Sequence, residues 1–176
     1  MTKHKNEVTL SGKIIKMYTP KPQRLLLRIH AGENLPECFV CGWLADFVTT
    51  NYKVGDYISL KCNLQSTMKE REGRSVTIFV DSVLPSKKVM QNNFDMVGEI
   101  RSLYVGDVYS TIHVGCITEH KSTVPVFVYN NKCLDKAFEV GDEIVIKGEI
   151  QTKKCVYPEG RTIFHQNYVC RQLEKA

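Results

Sequence analysis

The residues best suited to chemistry in this sequence are cations and aromatic rings spaced along short apolar segments. Arg24 and Arg28 stand four residues apart in one segment, and Phe39 and Trp43 stand four apart in the next. Alternate side chains of an extended chain point to the same side, so both pairs are expected to face outward from strands. Cations neutralise phosphates and flat rings stack on bases. The pattern therefore predicts binding of a single-stranded nucleic acid.

Both halves of the chain offer these residue types. The first half supplies the candidate binding residues Lys21, Arg24, Arg28, Phe39, Trp43, Lys61, Lys69, Arg71 and Arg74. The second half supplies Phe127, Tyr129, Lys147, Lys153, Lys154, Tyr157 and Arg161. The alternatives are that the rings pack against a helix or another subunit and that the cations are only solvated. The second half as a whole is also open to a role in dimerisation or spacing.

The sequence contains no constellation that points to an enzyme or to a cofactor. Cys38 and Cys41 form a C-x-x-C pair, but within a strand positions three apart point to opposite faces, which does not suit a zinc or redox site. The five histidines lack metal-ligand spacing, and no phosphate-binding loop or nucleophile elbow is present. We therefore predict a binding protein that uses neither metal nor cofactor.

Charge is shared unevenly along the chain, whose formal net charge is +5. Residues 1–88 contain 14 Lys and Arg against 8 Asp and Glu, whereas residues 89–176 contain 10 against 11. If a polyanion binds, the first half is expected to contribute more of the electrostatic attraction. The scattered cysteines, the polar N-terminus and the lack of a long apolar run predict a cytoplasmic location.

A repeat of 86 residues divides the chain into two copies. Gly12 recurs as Gly98, Tyr18 recurs as Tyr104, and the turn Val54-Gly55-Asp56 recurs as Val140-Gly141-Asp142. At this constant offset Phe127 falls at the position of Cys41, and Tyr129 at the position of Trp43. The repeat predicts two domains, 1–86 and 92–176, joined by a short linker at 87–91.

Each copy reads as strands with little helix. The first copy predicts strands over Val8–Met17, Leu25–His30, Glu37–Gly42, Tyr57–Gln65 and Ser75–Val83, with one short helix over Leu44–Asn51. Gly12 and Gly98 fit a bulge where the long first strand bends. Five strands with a helix between the third and fourth predict an all-β chain of two tandem OB-fold barrels, each with that helix.

These segments resemble the bacterial and phage single-stranded DNA-binding protein family. Residues 6–14 resemble its opening strand, N-x-V-x-L-x-G, residues 42–47 its helix entry, and residues 54–83 its fourth strand, hairpin and fifth strand. The resemblance implies a protein that coats single-stranded DNA with little sequence preference in replication, recombination or element transfer. It also implies a homodimer, which brings four OB folds together.

The sequence departs from the family pattern in its tail and in its rings. The family usually ends in an acidic, aromatic-tipped tail, and Arg171–Ala176 does not match it, so recruitment of partners by that route is not expected. Cys41 stands at the family's third-strand aromatic position, while Lys69 and Cys155 fall near its hairpin tryptophan. Two alternatives stay open: an OB-fold adaptor that binds proteins in a replication or conjugation complex, and an RNA-binding OB protein.

Overall fold

The computed structural model describes residues 3–69, 73–129, 134 and 137–176. The first copy contains β1 (Lys5–Lys21), β2 (Arg24–His30), β3 (Glu37–Cys41), α1 (Trp43–Asn51), β4 (Tyr57–Lys69) and β5 (Gly73–Leu84). The second copy contains β6 (Gln91–Val105), β7 (Tyr109–Ile117), β8 (Lys121–Tyr129), β9 (Glu143–Val156) and β10 (Thr162–Lys175). The predicted helix of the second copy falls largely on residues outside those described. No helix in the described ranges is long and apolar enough to cross a membrane.

Each copy closes into a five-stranded barrel. In the first, β1 pairs with β2, β2 with β3, β3 with β5, β5 with β4, and β4 returns to β1. The second copy repeats this circuit with β6, β7, β8, β10 and β9. In both barrels the pairing of the third and fifth strands is parallel and the others are antiparallel. The predicted tandem OB-fold barrels are confirmed.

Alternation along the strands places the core inside each barrel. On β4, Ile58, Leu60, Cys62 and Leu64 are fully buried, as the sequence predicts. Fully burying an aliphatic side chain of this size contributes about 1.5–3 kcal/mol relative to leaving it exposed. The turn into this strand is repeated too, because Gly55 and Gly141 both adopt a positive φ.

Gly12 lies where β1 passes from its partner β4 to its partner β2. A Cβ at this position would lie 2.1 Å from the carbonyl oxygen of His30, and one at Gly98 would lie 2.5 Å from that of Gly115. The sequence predicts a bulge at Gly12, but the register shifts in the pairing of β1 with β2 lie between Ile14 and Lys16 and between Tyr18 and Lys21. Gly12 is therefore required by the close approach of two backbones.

The two barrels are joined through their first strands. β1 and β6 run antiparallel from the pair Lys5 and Val97 to the pair Ser11 and Gln91, and the central pair is Val8 with Phe94. Because Phe94 follows Val8 by one repeat length, the segments that pair are equivalent in the two copies. The copies are thus related by an internal two-fold axis, as in a symmetric dimer.

A pair of asparagine side chains shows this symmetry in hydrogen bonds. The Asn6 amide donates to the carbonyl of Leu64 at 2.7 Å and accepts from its N–H at 3.0 Å. Asn92 repeats both contacts with Ile150, at 2.7 and 3.1 Å. Each asparagine fixes the start of the hairpin that the fourth and fifth strands of its own copy form.

Candidate nucleic-acid interface

The outer surface of the first barrel carries a row of apolar and aromatic side chains across four strands. Tyr18 on β1 pairs with Leu26 on β2, Leu26 pairs with Phe39 on β3, and Phe39 pairs with Phe79 on β5. The Phe39 and Phe79 ring centroids are 6.1 Å apart, and Tyr18 is 55% exposed. We call this row, together with Arg24, the first face.

The predicted alternation of β2 is confirmed by burial. Leu25, Leu27 and Ile29 point into the barrel and are at most 1% exposed, which leaves Arg24 and Arg28 on the outside. Arg24 is exposed at the end of the strand. Its cross-strand partners are Cys41 on β3 and Lys21 on β1. Two predicted cations, Lys21 and Arg24, therefore lie together at one end of the first face.

Trp43 differs from its predicted position on the third strand. The strand ends at Cys41 because Gly42 adopts a positive φ of 63°, and Trp43 becomes the first residue of α1. Its ring is 74% exposed and meets Phe47 edge-on at 6.4 Å. The Gly42 N–H donates to the carbonyl of Gln23 at 2.9 Å. Trp43 therefore stands near the β1–β2 turn, at the same end of the barrel as Lys21 and Arg24.

Arg28 lies at the boundary between the two copies. Its guanidinium is 2.7 Å from the Glu37 carboxylate and 4.1 Å from the ring centroid of Phe164, which belongs to the second copy. The Arg28 side chain is 17% exposed. Unlike Arg24, it already has a counter-charge and a ring contact within the protein.

The β9–β10 hairpin of the second copy is bound to the first barrel at this boundary. Thr152 accepts a hydrogen bond from the Leu35 N–H at 2.8 Å and donates its own N–H to Asn34 at 2.9 Å. The Glu37 N–H donates to the Gln166 side chain at 2.5 Å. On the other side of the axis, Ser66 of the β4–β5 hairpin accepts from the Thr123 N–H at 2.9 Å. Each hairpin thus contacts the opposite barrel.

The corresponding row on the second barrel is Tyr104, Thr111 and Phe127, which pair in succession across β6, β7 and β8. Tyr104 is 66% exposed. Tyr109 adds a ring 5.6 Å from Phe127 and 6.1 Å from Tyr129. We call these five residues the second face.

The strand pairing corrects two equivalences that the constant repeat offset predicts. Tyr129 pairs with Tyr109 as Cys41 pairs with Arg24, so Tyr129 is the counterpart of Cys41 and not of Trp43. By the same register Phe127 is the counterpart of Phe39. The offset fails here because the connections between these strands differ in length between the copies.

The other predicted cations do not belong to either face as defined above. Lys61 is exposed on β4 and forms an ion pair with Glu7 at 3.3 Å, and Lys147 is cross-strand to Asp95, so both lie on the sheet that joins the barrels. Lys153 and Lys154 are exposed on β9.

At the end of the second hairpin, the Arg161 guanidinium lies 5.0 Å from the Tyr157 ring centroid and 3.7 Å from the carboxylate of Glu159. In the first hairpin, Lys69 ends β4 and Arg74 is in β5, while Arg71 and the side chains of Lys69 and Arg74 are outside the described residues.

The C-x-x-C cysteines point to opposite faces as predicted, with Cys38 buried and Cys41 exposed. Burial raises the pKa of the Cys38 thiol well above its ordinary value and that of Cys116 to about 12. Both thiols therefore stay protonated and behave as small apolar groups. The described residues contain no group of three or more His, Cys, Asp or Glu that is placed to hold a metal ion.

Sequence reasoning missed Tyr18, Tyr104, Phe79 and Phe164 as candidate binding residues. For the first two, the sequence signal is the recurrence of a tyrosine at the same position of the repeat. Both tyrosines are exposed in the structure, so the recurrence is not explained by packing of the core. Phe79 could have been predicted from the alternation of β5, because its neighbour Ile78 is buried and Phe79 therefore points outward. Phe164 had no local signal, since its contact with Arg28 joins positions far apart in the chain.

Comparison with protein-family models and with curated protein sequences gives no match. Solved structures do match. The wild-type single-stranded DNA-binding protein from Thermus aquaticus has a TM-score of 0.71 at 15% identity, covering 99% of this chain and 94% of that one. A deletion variant of the same protein has a TM-score of 0.73 at 15% identity, with coverages of 100% and 96%. The chain is therefore similar over its full length to a single-stranded DNA-binding protein, and what the two share is the tandem OB fold.

Proposed function

We propose that this protein binds single-stranded DNA with little sequence preference and coats exposed strands during replication, recombination or element transfer. The observation that carries the proposal is the recurrence of one ring row in both barrels: Tyr18 and Phe39 in the first, Tyr104 and Phe127 in the second. Strands of OB barrels that carry exposed rings on this surface are suited to stacking bases. The proposed role is non-enzymatic and cytoplasmic.

Energetic considerations support a binding surface over a merely solvated one. A base that stacks on an aromatic ring contributes about 1–3 kcal/mol, independent of which base it is. Exposed tyrosine rings do not stabilise the barrel core, because the interior is already filled by other side chains. Lys21 and Arg24 stand at the end of the first face, where they are placed to follow a phosphate backbone.

The experiment that tests the proposal uses Trp43, the single tryptophan of the chain. The protein is titrated with oligo(dT), and its fluorescence is followed at two salt concentrations. Salt-sensitive quenching with micromolar or tighter affinity is the expected result. The absence of binding to any single strand at low salt would overturn it. Oligo(rU) and duplex DNA serve as comparisons, because tighter binding of oligo(rU) would favour the RNA alternative.

An OB-fold adaptor that binds proteins is the second candidate. It is favoured by a groove of about 220 Å³ between α1 and β5, which is lined by Trp43, Leu44, Phe47, Asp81, Ser82 and Val83. The only charged residue of α1 is Asp46, which does not suit a phosphate. A Trp43 fluorescence that does not respond to any nucleic acid would favour the adaptor function.

We further propose that the two barrels are separate domains, 1–86 and 92–176, and that two chains form a homodimer. In support of the boundary, β5 ends at Leu84 and β6 begins at Gln91. Limited proteolysis is expected to cut first between these strands, and cuts inside either barrel instead would contradict the boundary. Light scattering is expected to give twice the mass of one chain, and the mass of one chain would contradict the dimer.

A further inference from the structure

The contact between Arg28 and Phe164 continues the first face across the boundary between the copies. On β2, Arg28 is the next outward residue after Leu26, so it lies about 7 Å further along the strand. Leu26 pairs with Phe39, and Arg28 pairs with Glu37. Phe164 covers the guanidinium at 4.1 Å. The ring of Phe164 is thus the next aromatic surface after Phe39.

The Arg28 guanidinium is held by contacts within the protein, although one of its buried N–H groups has no hydrogen-bond partner among the described residues. The guanidinium donates one N–H to Glu37 at 2.7 Å. Its Nε is buried and has no hydrogen-bond partner in the part of the chain that the structure describes. Buried polar groups normally have partners, so an unsatisfied donor beside an aromatic ring on a binding surface calls for an explanation. The cation–π contact with the Phe164 ring, whose centroid lies 4.1 Å from the guanidinium, is the compensating interaction that the structure shows.

A cation of the second copy stands beside the same ring. Lys154 is directly cross-strand to Phe164 in the β9–β10 hairpin, so both side chains point to one side of it. Lys154 is exposed, and no ion pair is found for it among the described residues. The hairpin therefore brings a ring and a cation to the end of the first face.

We propose that Phe164 and Lys154 of the second copy complete the strand-binding surface of the first copy. In this arrangement Phe164 stacks a base and Lys154 binds a phosphate, while the Arg28 guanidinium holds the Phe164 ring in place. The inference rests on the proposed function and deepens it, because one binding track then needs side chains from both copies. The second copy is more than a spacer.

The test first establishes that the wild-type protein binds oligo(dT), since failure at that step concerns the proposed function alone. Phe164→Leu then keeps apolar bulk against Arg28 but removes the ring. We expect affinity for oligo(dT) to fall by about fivefold or more, because stacking contributes about 1–3 kcal/mol per base. Phe138→Leu is the matched control, since Phe138 lies beside Lys175 and away from the first face.

A second measurement separates direct contact from an effect on packing. In a Trp43→Phe background, Phe164→Trp places the single tryptophan at the proposed site. Quenching of that tryptophan by oligo(dT) is expected. An unquenched tryptophan in a variant that still binds, or a Phe164→Leu variant that binds as tightly as wild type, would overturn the composite track.

Discussion

The first and second faces use equivalent strands for different balances of charge and ring. The first barrel carries Arg24 where the second carries Tyr109, and Cys41 where the second carries Tyr129. At these two equivalent positions the first barrel has a cation and a cysteine, and the second barrel has two aromatic rings. Under the proposed function, the copies divide the two contributions to strand binding, since phosphate contacts respond to salt and stacking responds weakly.

The largest expected effect comes from removing the rings of the second face. Phe127→Ala combined with Tyr129→Ala is expected to weaken oligo(dT) binding by about thirtyfold or more, because each of two stacked bases contributes about 1–3 kcal/mol. The dependence of affinity on salt is expected to stay the same. Titrations at several salt concentrations measure both, and a flattened salt dependence would show that the faces do not divide the work in this way.

A core exchange tests how far the two barrels tolerate each other's residues. Val8 pairs with Cys62 in the first barrel, and Phe94 pairs with Gly148 in the second. A Cβ at Gly148 would lie 2.1 Å from the carbonyl oxygen of Val169 and 2.5 Å from the Phe94 ring, so Gly148→Cys is expected to lower the free energy of unfolding by about 1–3 kcal/mol or more. Adding Phe94→Val is expected to restore only the part of that loss that the ring causes, because the contact with the Val169 backbone remains. Urea unfolding measures both variants, and strictly additive losses would contradict the coupling.

The two arginines of β2 test the electrostatic side of the comparison. Arg24→Ala is expected to reduce the slope of log affinity against log salt by about 0.7, the value for one phosphate contact on a single strand. Arg28→Ala is expected to change that slope less, because Glu37 already neutralises the guanidinium. Equal changes in slope for the two variants would contradict this distinction.

The smallest effect is expected inside the second barrel. Tyr168 is buried where the first barrel has Ile78, and its hydroxyl has no hydrogen-bond partner within the described residues. Burial also raises the pKa of this phenol. Tyr168→Phe is therefore expected to leave the free energy of unfolding unchanged or to raise it by up to about 1 kcal/mol. A clear loss of stability in thermal unfolding would show that the hydroxyl has a partner in solution.

Local patterns made much of the fold predictable from the sequence. Alternation placed Ile58 and Leu60 in the core, and the repeated Val-Gly-Asp turns located the entry to the fourth strand. Trp43 was misplaced because the positive φ of Gly42, which ends β3, is not encoded in any alternation. The sequence showed that residues alternate but not how each hairpin lies on the opposite barrel.

The candidate site was less predictable than the fold because its parts come together over long distances in the chain. Arg28 was correctly expected to face outward, yet nothing near it in the sequence indicated Phe164. The sequence also predicted equivalent positions of the two copies only in part. A constant offset assigned Tyr129 to Trp43, whereas strand register assigns it to Cys41.

The antiparallel pairing of β1 with β6 has a consequence for the polarity of a bound strand. A two-fold axis between the barrels reverses any direction that runs perpendicular to it. Wherever the path of a bound strand is perpendicular to that axis, the same 5′ to 3′ orientation relative to each barrel therefore runs in opposite senses on the two faces. One continuous strand has to turn back on itself to occupy both, so the length of the shortest oligonucleotide that fills the chain is set by that reversal.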